Sequence, residues 1–230
     1  MDIQMEFGLR CKQLRARSGM SQEELASRAG LDRTYISSVE RGQRNISLSS
    51  MEKIASAFHV SLAYLFSEER LSDKPAYQQQ DFAVPLSERF KHHLDESNRI
   101  LSFRIGGLLN EEDTEHMIRT WRTISAQLGD RELRLFYDYR AMKASDSEPA
   151  VFSQEIVEKA VRFQNKLTEN IKQVVVLCNS EYMVHQMNYV SSASNHPGRS
   201  IHLYGNDKDM VGNAYRLLGI RDNGLIRTVI

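Results

Sequence analysis

The chain has 230 residues, 41% of them hydrophobic and 26% charged, with 30 Lys/Arg balanced by 30 Asp/Glu. That is room for one large domain or two small ones with buried cores, and the zero net charge gives no general attraction to nucleic acid. No apolar run approaches the ~18 residues of a membrane span, the N-terminus lacks a signal-peptide layout, and two distant cysteines, Cys11 and Cys178, make neither a disulfide framework nor a zinc site.

A cytoplasmic protein with no membrane partner, no metal and no cofactor is therefore expected. Residues 1–66 hold nine Lys/Arg against seven Asp/Glu. Only local clustering, as at Arg10, Lys12, Arg15 and Arg17, would draw phosphates.

The first 66 residues predict five short helices. The first runs from about Glu6 to Arg17, turns Phe7, Cys11 and Leu14 inward, and ends near Gly19. Ser21-Gln22-Glu23-Glu24 is a capping box that opens the second, which buries Leu25, Ala26 and Ala29 and closes at Gly30. Asp32 caps a third helix, Arg33 to about Arg41, with Ile36 and Val39 inside. Ser49-Ser50-Met51-Glu52 reads as a second capping box for a fourth helix carrying Ile54, Ala55 and Phe58. Ser61 caps a fifth, with Leu62, Leu65 and Phe66.

Residues 67–97 predict a polar linker with Pro75 and Pro85, then a short helix from Leu86 to Leu94. Beyond it, strand and helix patterns alternate. Strands are expected at 100–105, 133–139, 174–178 and 201–204. Helices are expected at 111–128, 152–167, 183–191 and 207–218. The fold class is thus multidomain: an all-α five-helix domain over 1–66, then an α/β domain over 98–230 with a mainly parallel sheet of about four strands.

Two short helices joined by Gly30-Leu31-Asp32 make a helix-turn-helix, whose second helix projects into a DNA major groove about 12 Å wide. Facing away from Ile36 and Val39 are Arg33, Thr34, Ser37 and Ser38, the candidate base contacts. An arginine in the first turn can donate two hydrogen bonds to guanine O6 and N7. Gln22 is a candidate phosphate contact, with Gln43 and Arg44 beside the backbone after the helix. Tyr35 sits at the margin, placed either over the helix or against a phosphate.

The run Ser21-Gln22-Glu23-Glu24-Leu25-Ala26, Gly30-Leu31, Tyr35-Ile36-Ser37, Glu40-Arg41-Gly42, Ile54-Ala55 and Leu65-Phe66 resembles the XRE family of phage-repressor-like regulators. Within it, Asp32-Arg33-Thr34-Tyr35-Ile36-Ser37 and Arg44-Asn45-Ile46-Ser47-Leu48 are most similar to controller proteins of restriction–modification systems. The resemblance implies that Gln22 meets phosphate, that Arg33, Thr34 and Ser38 meet bases, and that Arg15 and Glu40 form a partly buried ion pair.

In element order and apolar pattern the second half resembles the STAS-like α/β domains, which implies a protein-binding or switching role. Some of those domains carry a phosphorylatable serine after the second strand; here Asp138-Tyr139-Arg140-Ala141-Met142 stands there, with Ser145 and Ser147 only further on. At the carboxyl ends of the predicted strands lie Asp138, Arg140, Asn179 and Asn206. These either line a ligand or partner site or form a local ion pair and helix caps.

His185 and Cys178 lack a third orienting group, so no enzyme is expected. The function expected is a homodimeric, sequence-specific regulator reading a palindromic operator in double-stranded DNA, with a C-terminal domain that senses a small molecule or binds a partner. The alternatives are a protein-interaction regulator working through the STAS-like domain and a restriction–modification controller.

Overall fold

The structure is a computed structural model that describes residues 2–67, 84–128, 132–144, 147–166, 171–194 and 198–228. Five helices come first: α1 (Ile3–Arg17), α2 (Gln22–Ala29), α3 (Arg33–Glu40), α4 (Leu48–Ala57) and α5 (Leu62–Leu65). Each starts at a side chain that accepts from a backbone N–H of its first turn, namely Asp2, Ser21, Asp32, Ser47 and Ser61.

Two starts differ from the sequence expectation. Capped by Asp2, α1 begins at Ile3, three residues before Glu6, and Ser47 rather than Ser49 caps α4, accepting from Ser50 N–H at 3.2 Å. The added residue Leu48 is 77% exposed, so the apolar pattern carried no trace of it.

Leu14, Leu25, Ile36, Ile54 and Phe58 close one core between these helices. Burial of that size is worth about 1.5–3 kcal/mol per large apolar side chain. At Gly8 the backbones of α1 and α3 come together, and a Cβ there would overlap the Val39 carbonyl oxygen. On α5 the buried side chains are Tyr64 and Leu65, whereas Leu62 and Phe66 face outward.

Of the linker expected from 67 to 85, residues 68–83 lie outside the described residues. The helix expected over 86–94 is a single turn, α6 (Leu86–Arg89), followed by strand β1 (Phe90–Asp95). Leu86, Phe90 and Leu94, four apart, imitate a helical stripe. The same spacing also keeps Phe90 and Leu94 on one face of a strand. Pairing with the next strand and the stacking of Phe90 on Phe103, 5.8 Å between centroids, decide for the strand.

The remaining strands are β2 (Ile100–Gly106), β3 (Leu133–Ala141), β4 (Ile171–Leu177) and β5 (Ser200–Leu203). They form a five-stranded mixed sheet in chain order, in which β1 is antiparallel to β2 and the other pairs are parallel. This replaces the expected sheet of about four strands. The helices α7 (Glu111–Leu128), α8 (Gln154–Lys166) and α9 (Glu181–Ser192) link successive parallel strands and pack over one face. Crossovers of one hand between strands in sequential order place their helices on one side. The last helix, α10 (Asp207–Leu218), covers the other side. Val174 and Val176 enter the first core, Val175 and Leu177 the second, as a strand buried on both faces requires.

The helical and α/β regions meet at a seam. Tyr182 of α9 and Val151 are buried with the helical core. The Tyr182 ring stacks on Tyr64 at 5.8 Å, and its hydroxyl lies 2.7 Å from Ser18 Oγ. Ser18 spends its one hydroxyl proton on the Leu14 carbonyl, so Tyr182 donates and Ser18 accepts. Around this centre His59 stacks on Tyr189 at 3.5 Å, Arg17 pairs with Glu148, and Arg28 pairs with Glu158 at 3.4 Å.

Candidate nucleic-acid interface

The turn between α2 and α3 is built by two side-chain choices. Gly30 ends α2 at φ 59°, ψ 41°, a left-handed conformation that costs glycine nothing. Asp32 then accepts from the Thr34 N–H at 2.7 Å and the Thr34 hydroxyl at 2.5 Å. These bonds hold its carboxyl below the usual range, so a negative charge sits at the positive end of α3.

With Ile36 and Val39 buried at 1% and 2% exposure, the opposite face of α3 is set. Arg33 stands there with its side chain 64% exposed. Its neighbour Glu23, at 3.7 Å, is equally exposed, so the pair is weak and the guanidinium is available. Thr34 is exposed, its hydroxyl turned to Asp32 and its methyl outward-competent for a base. Ser37 and Ser38 are half-buried, Ser37 Oγ accepting from Arg41 Nη1 at 2.5 Å and Ser38 Oγ donating to the Thr34 carbonyl at 2.8 Å. Of the four candidate base contacts, Arg33 is the least committed.

Below this face lies a polar brace. Arg15 donates to both carboxylate oxygens of Glu40, at 2.6 and 3.0 Å, and to the Met20 carbonyl at 2.9 Å. Gln22 Nε2 donates to the same Glu40 at 2.9 Å. One Gln22 amide hydrogen therefore aims the side chain, and the second remains for a phosphate. The sequence reading placed Gln22 at the helix start without this link to Glu40. Beyond α3 the Arg44 guanidinium lies 4.4 Å above the Tyr35 ring, and Gln43 accepts from Arg41 Nε at 2.7 Å. Tyr35 thus packs under a cation that itself faces solvent.

The polar groups proposed at the strand ends of the α/β region are engaged internally. Asp138, 2% exposed, takes Arg140 Nε at 2.8 Å and Nη2 at 2.9 Å, and Arg140 also pairs with Asp207. Asn206 caps α10 by accepting from Lys208 N–H at 3.1 Å. Asn179 stands apart from that group, donating to the Met142 and Ala150 carbonyls at 2.6 and 2.7 Å, while Ser180 caps α9. Cys11 and Cys178 are free, buried thiols whose pKa burial raises, Cys178 to about 12, which removes them as nucleophiles. Among the described residues no cluster of His, Cys, Asp and Glu is arranged to hold a metal ion, and no helix is long and apolar enough to cross a membrane.

The helical region is similar in sequence to known proteins. A helix-turn-helix family model matches residues 12–65. The control protein C.MunI from Mycoplasma sp is 46% identical over 68 residues, which are 29% of this chain and 92% of that protein. The control protein C.BamHI from Bacillus amyloliquefaciens is 50% identical over 60 residues, 26% of this chain and 74% of that one. The immunity repressor of Bacillus phage phi105 is 28% identical over 141 residues, covering 56% of this chain and 96% of the repressor. Among solved structures, the restriction-modification controller protein C.AhdI from Aeromonas hydrophila is 48% identical, covering 27% of this chain and 96% of its own at a TM-score of 0.27.

Proposed function

We propose, given that the chain belongs through its N-terminal helices to the XRE-type helix-turn-helix family of DNA-binding regulators, that it reads a two-fold symmetric operator as a homodimer. The observation that carries the base-reading assignment is Arg33, exposed in the first turn of a helix whose other face is locked into the core. Arg33 reads guanine, while Thr34, Ser37 and Ser38 add contacts along the same face. Gln22, Tyr35, Gln43 and Arg44 fix the register on phosphates. One recognition helix spans only a few base pairs, so two copies one DNA turn apart are needed for usable specificity. Leu62 and Phe66, 37% and 52% exposed and four residues apart, are the apolar surface we assign to that pairing.

The α/β region, packed against the helices through the Tyr182 seam, takes the sensory or partner-binding role. The STAS-like resemblance behind that role rests on element order and apolar pattern. A plain restriction–modification controller is the weaker alternative, because the two control proteins above are matched largely or almost whole by under a third of this chain.

Selection of bound sequences from a random DNA pool, followed by binding of Arg33→Ala to the selected site, tests the reading. A palindromic motif is expected, with affinity for it falling roughly ten- to a hundred-fold in the variant and affinity for unrelated DNA unchanged. Equal affinity of both proteins for the motif removes Arg33 from base recognition. Native mass spectrometry of the full chain then reports whether it is dimeric.

A further inference from the structure

The sheet register brings together four residues that lie far apart in sequence. Phe103 pairs with Tyr137, Tyr137 with Val176, and Val176 with His202, so one row crosses β2 to β5 on the face covered by α7, α8 and α9. Above that row the packing is incomplete, and a cavity of about 120 Å³ remains, roofed by Trp121, Phe163 and Met187. Phe103 and Tyr137 stack at 5.1 Å on its floor, and Trp121 meets Phe163 edge-on at 5.2 Å in its roof. Interiors are close-packed, so a void of this size lined by aromatic rings forfeits dispersion contacts unless something fills it.

Three features define what fits. Among the described residues no Lys, Arg, Asp or Glu lines the cavity. The one ionisable cation there, His202, is held neutral because burial lowers its pKa to about 4. Its Nδ1 is engaged by Asn188 Oδ1 at 2.7 Å; an amide oxygen only accepts, so Nδ1 carries the proton and Nε2 is an acceptor. Polar groups are nonetheless left over. The Trp121 indole N–H is buried at 5% exposure without a hydrogen-bond partner among the described residues. Tyr137 and Tyr139 line the cavity with it, and neither hydroxyl makes a hydrogen bond among the described residues. A buried donor left unmatched is costly, and the Trp121 N–H together with two uncommitted tyrosine hydroxyls at one void marks a site that a ligand completes.

We infer that this cavity binds a small, uncharged, single-ring aromatic ligand bearing one hydroxyl or carbonyl group, which stacks against the Phe103–Tyr137 pair and hydrogen-bonds to the tyrosine and indole groups. The size agrees, since an engineered apolar cavity of about 150 Å³ takes benzene. That the ligand acts as an effector rests on the regulator reading above, whereas its binding does not. The route to the DNA-reading helices is short: Met187 and Val190 line the cavity from the same helix that presents Tyr182 and Tyr189 to the seam.

Trp121 is the only tryptophan of the chain, so its fluorescence reports the site directly. Phenol, benzene and benzoate are titrated into the full-length protein. Phenol is expected to change Trp121 emission saturably with one site per chain, benzene to bind more weakly, and benzoate not to bind. Ala160→Leu, which fills the cavity from α8, should abolish the phenol response. The double variant Tyr137→Phe/Tyr139→Phe keeps every ring and should weaken phenol roughly ten-fold while leaving benzene unchanged, with circular dichroism confirming the fold of each. Absence of a saturable phenol response, benzoate binding as tightly as phenol, or unaltered phenol binding in either folded variant overturns the site. Any of these failures leaves the Arg33 test untouched.

Discussion

Glu40 is the residue on which the reading surface hangs. Its side chain is 3% exposed, yet it accepts two bonds from Arg15 and one from Gln22, tying α1, α2 and α3 to one carboxylate. Removing one partner of a buried pair strands the other charge, at a cost of about 3–5 kcal/mol. Arg15 is itself 17% exposed, so the lower end applies. Glu40→Ala should therefore lower stability by about 3 kcal/mol in urea unfolding and weaken binding to all DNA sequences, because Gln22 loses its anchor. Arg33→Ala should do the opposite, leaving the unfolding midpoint in place and removing only preference among sequences. If Glu40→Ala unfolds at the wild-type urea concentration, the brace is a surface contact.

At the scale of elements, what could be read from the chain was what is encoded locally. Three of the five helix starts in the first region follow from Ser and Asp at their ends; the start of α1 at Asp2 lies ahead of the apolar pattern, and the capping error at α4 arose because Ser47, Ser49 and Ser50 offer equivalent hydroxyls. β1 was hidden for a different reason: a spacing of four fits a helix turn and a strand face equally, and only the partner strand decides. The cavity could not be found at all, since its row joins residues from four strands through a register that no local pattern announces. Gly8 belongs to the same class. Nothing in its neighbourhood distinguishes it from any helical glycine, but the contact with Val39 makes α1 and α3 touch backbone to backbone. Gly8→Ala improves local helix propensity by about 1 kcal/mol and must still push α3 aside. Net destabilisation of about 1–3 kcal/mol is expected from thermal melts, together with weaker operator binding because α3 carries Arg33. A stabilised Gly8→Ala protein would mean that α1 and α3 are not held at this distance.

For the whole molecule the question is whether the two regions unfold as one. Each has a core of its own: the helices close around Leu14, Leu25 and Ile54, the sheet around Leu101, Leu135 and Val176. What joins them is narrow, and its centre is Tyr182, fully buried between Ser18 and Tyr64. At the rim Arg28–Glu158 is solvent-exposed and such pairs are worth at most about 1 kcal/mol, whereas the buried Arg17 paired with Glu148 adds to the seam. Removing a large buried aromatic side chain costs about 3–5 kcal/mol, and Tyr182 is the side chain on which the apolar part of this seam centres. In calorimetry the full chain should melt in one transition, and Tyr182→Ala should separate it into two. The helical transition moves down, since its cluster loses a member, and the α/β transition stays, since neither of its cores contains Tyr182. Tyr182→Phe keeps the stack on Tyr64 and loses only the bond to Ser18, so it should retain one transition, shifted by an amount matching about 1 kcal/mol. If Tyr182→Ala melts in one transition displaced as a whole, cooperativity is carried by contacts outside this seam, and a signal in the aromatic cavity must reach Arg33 by another route.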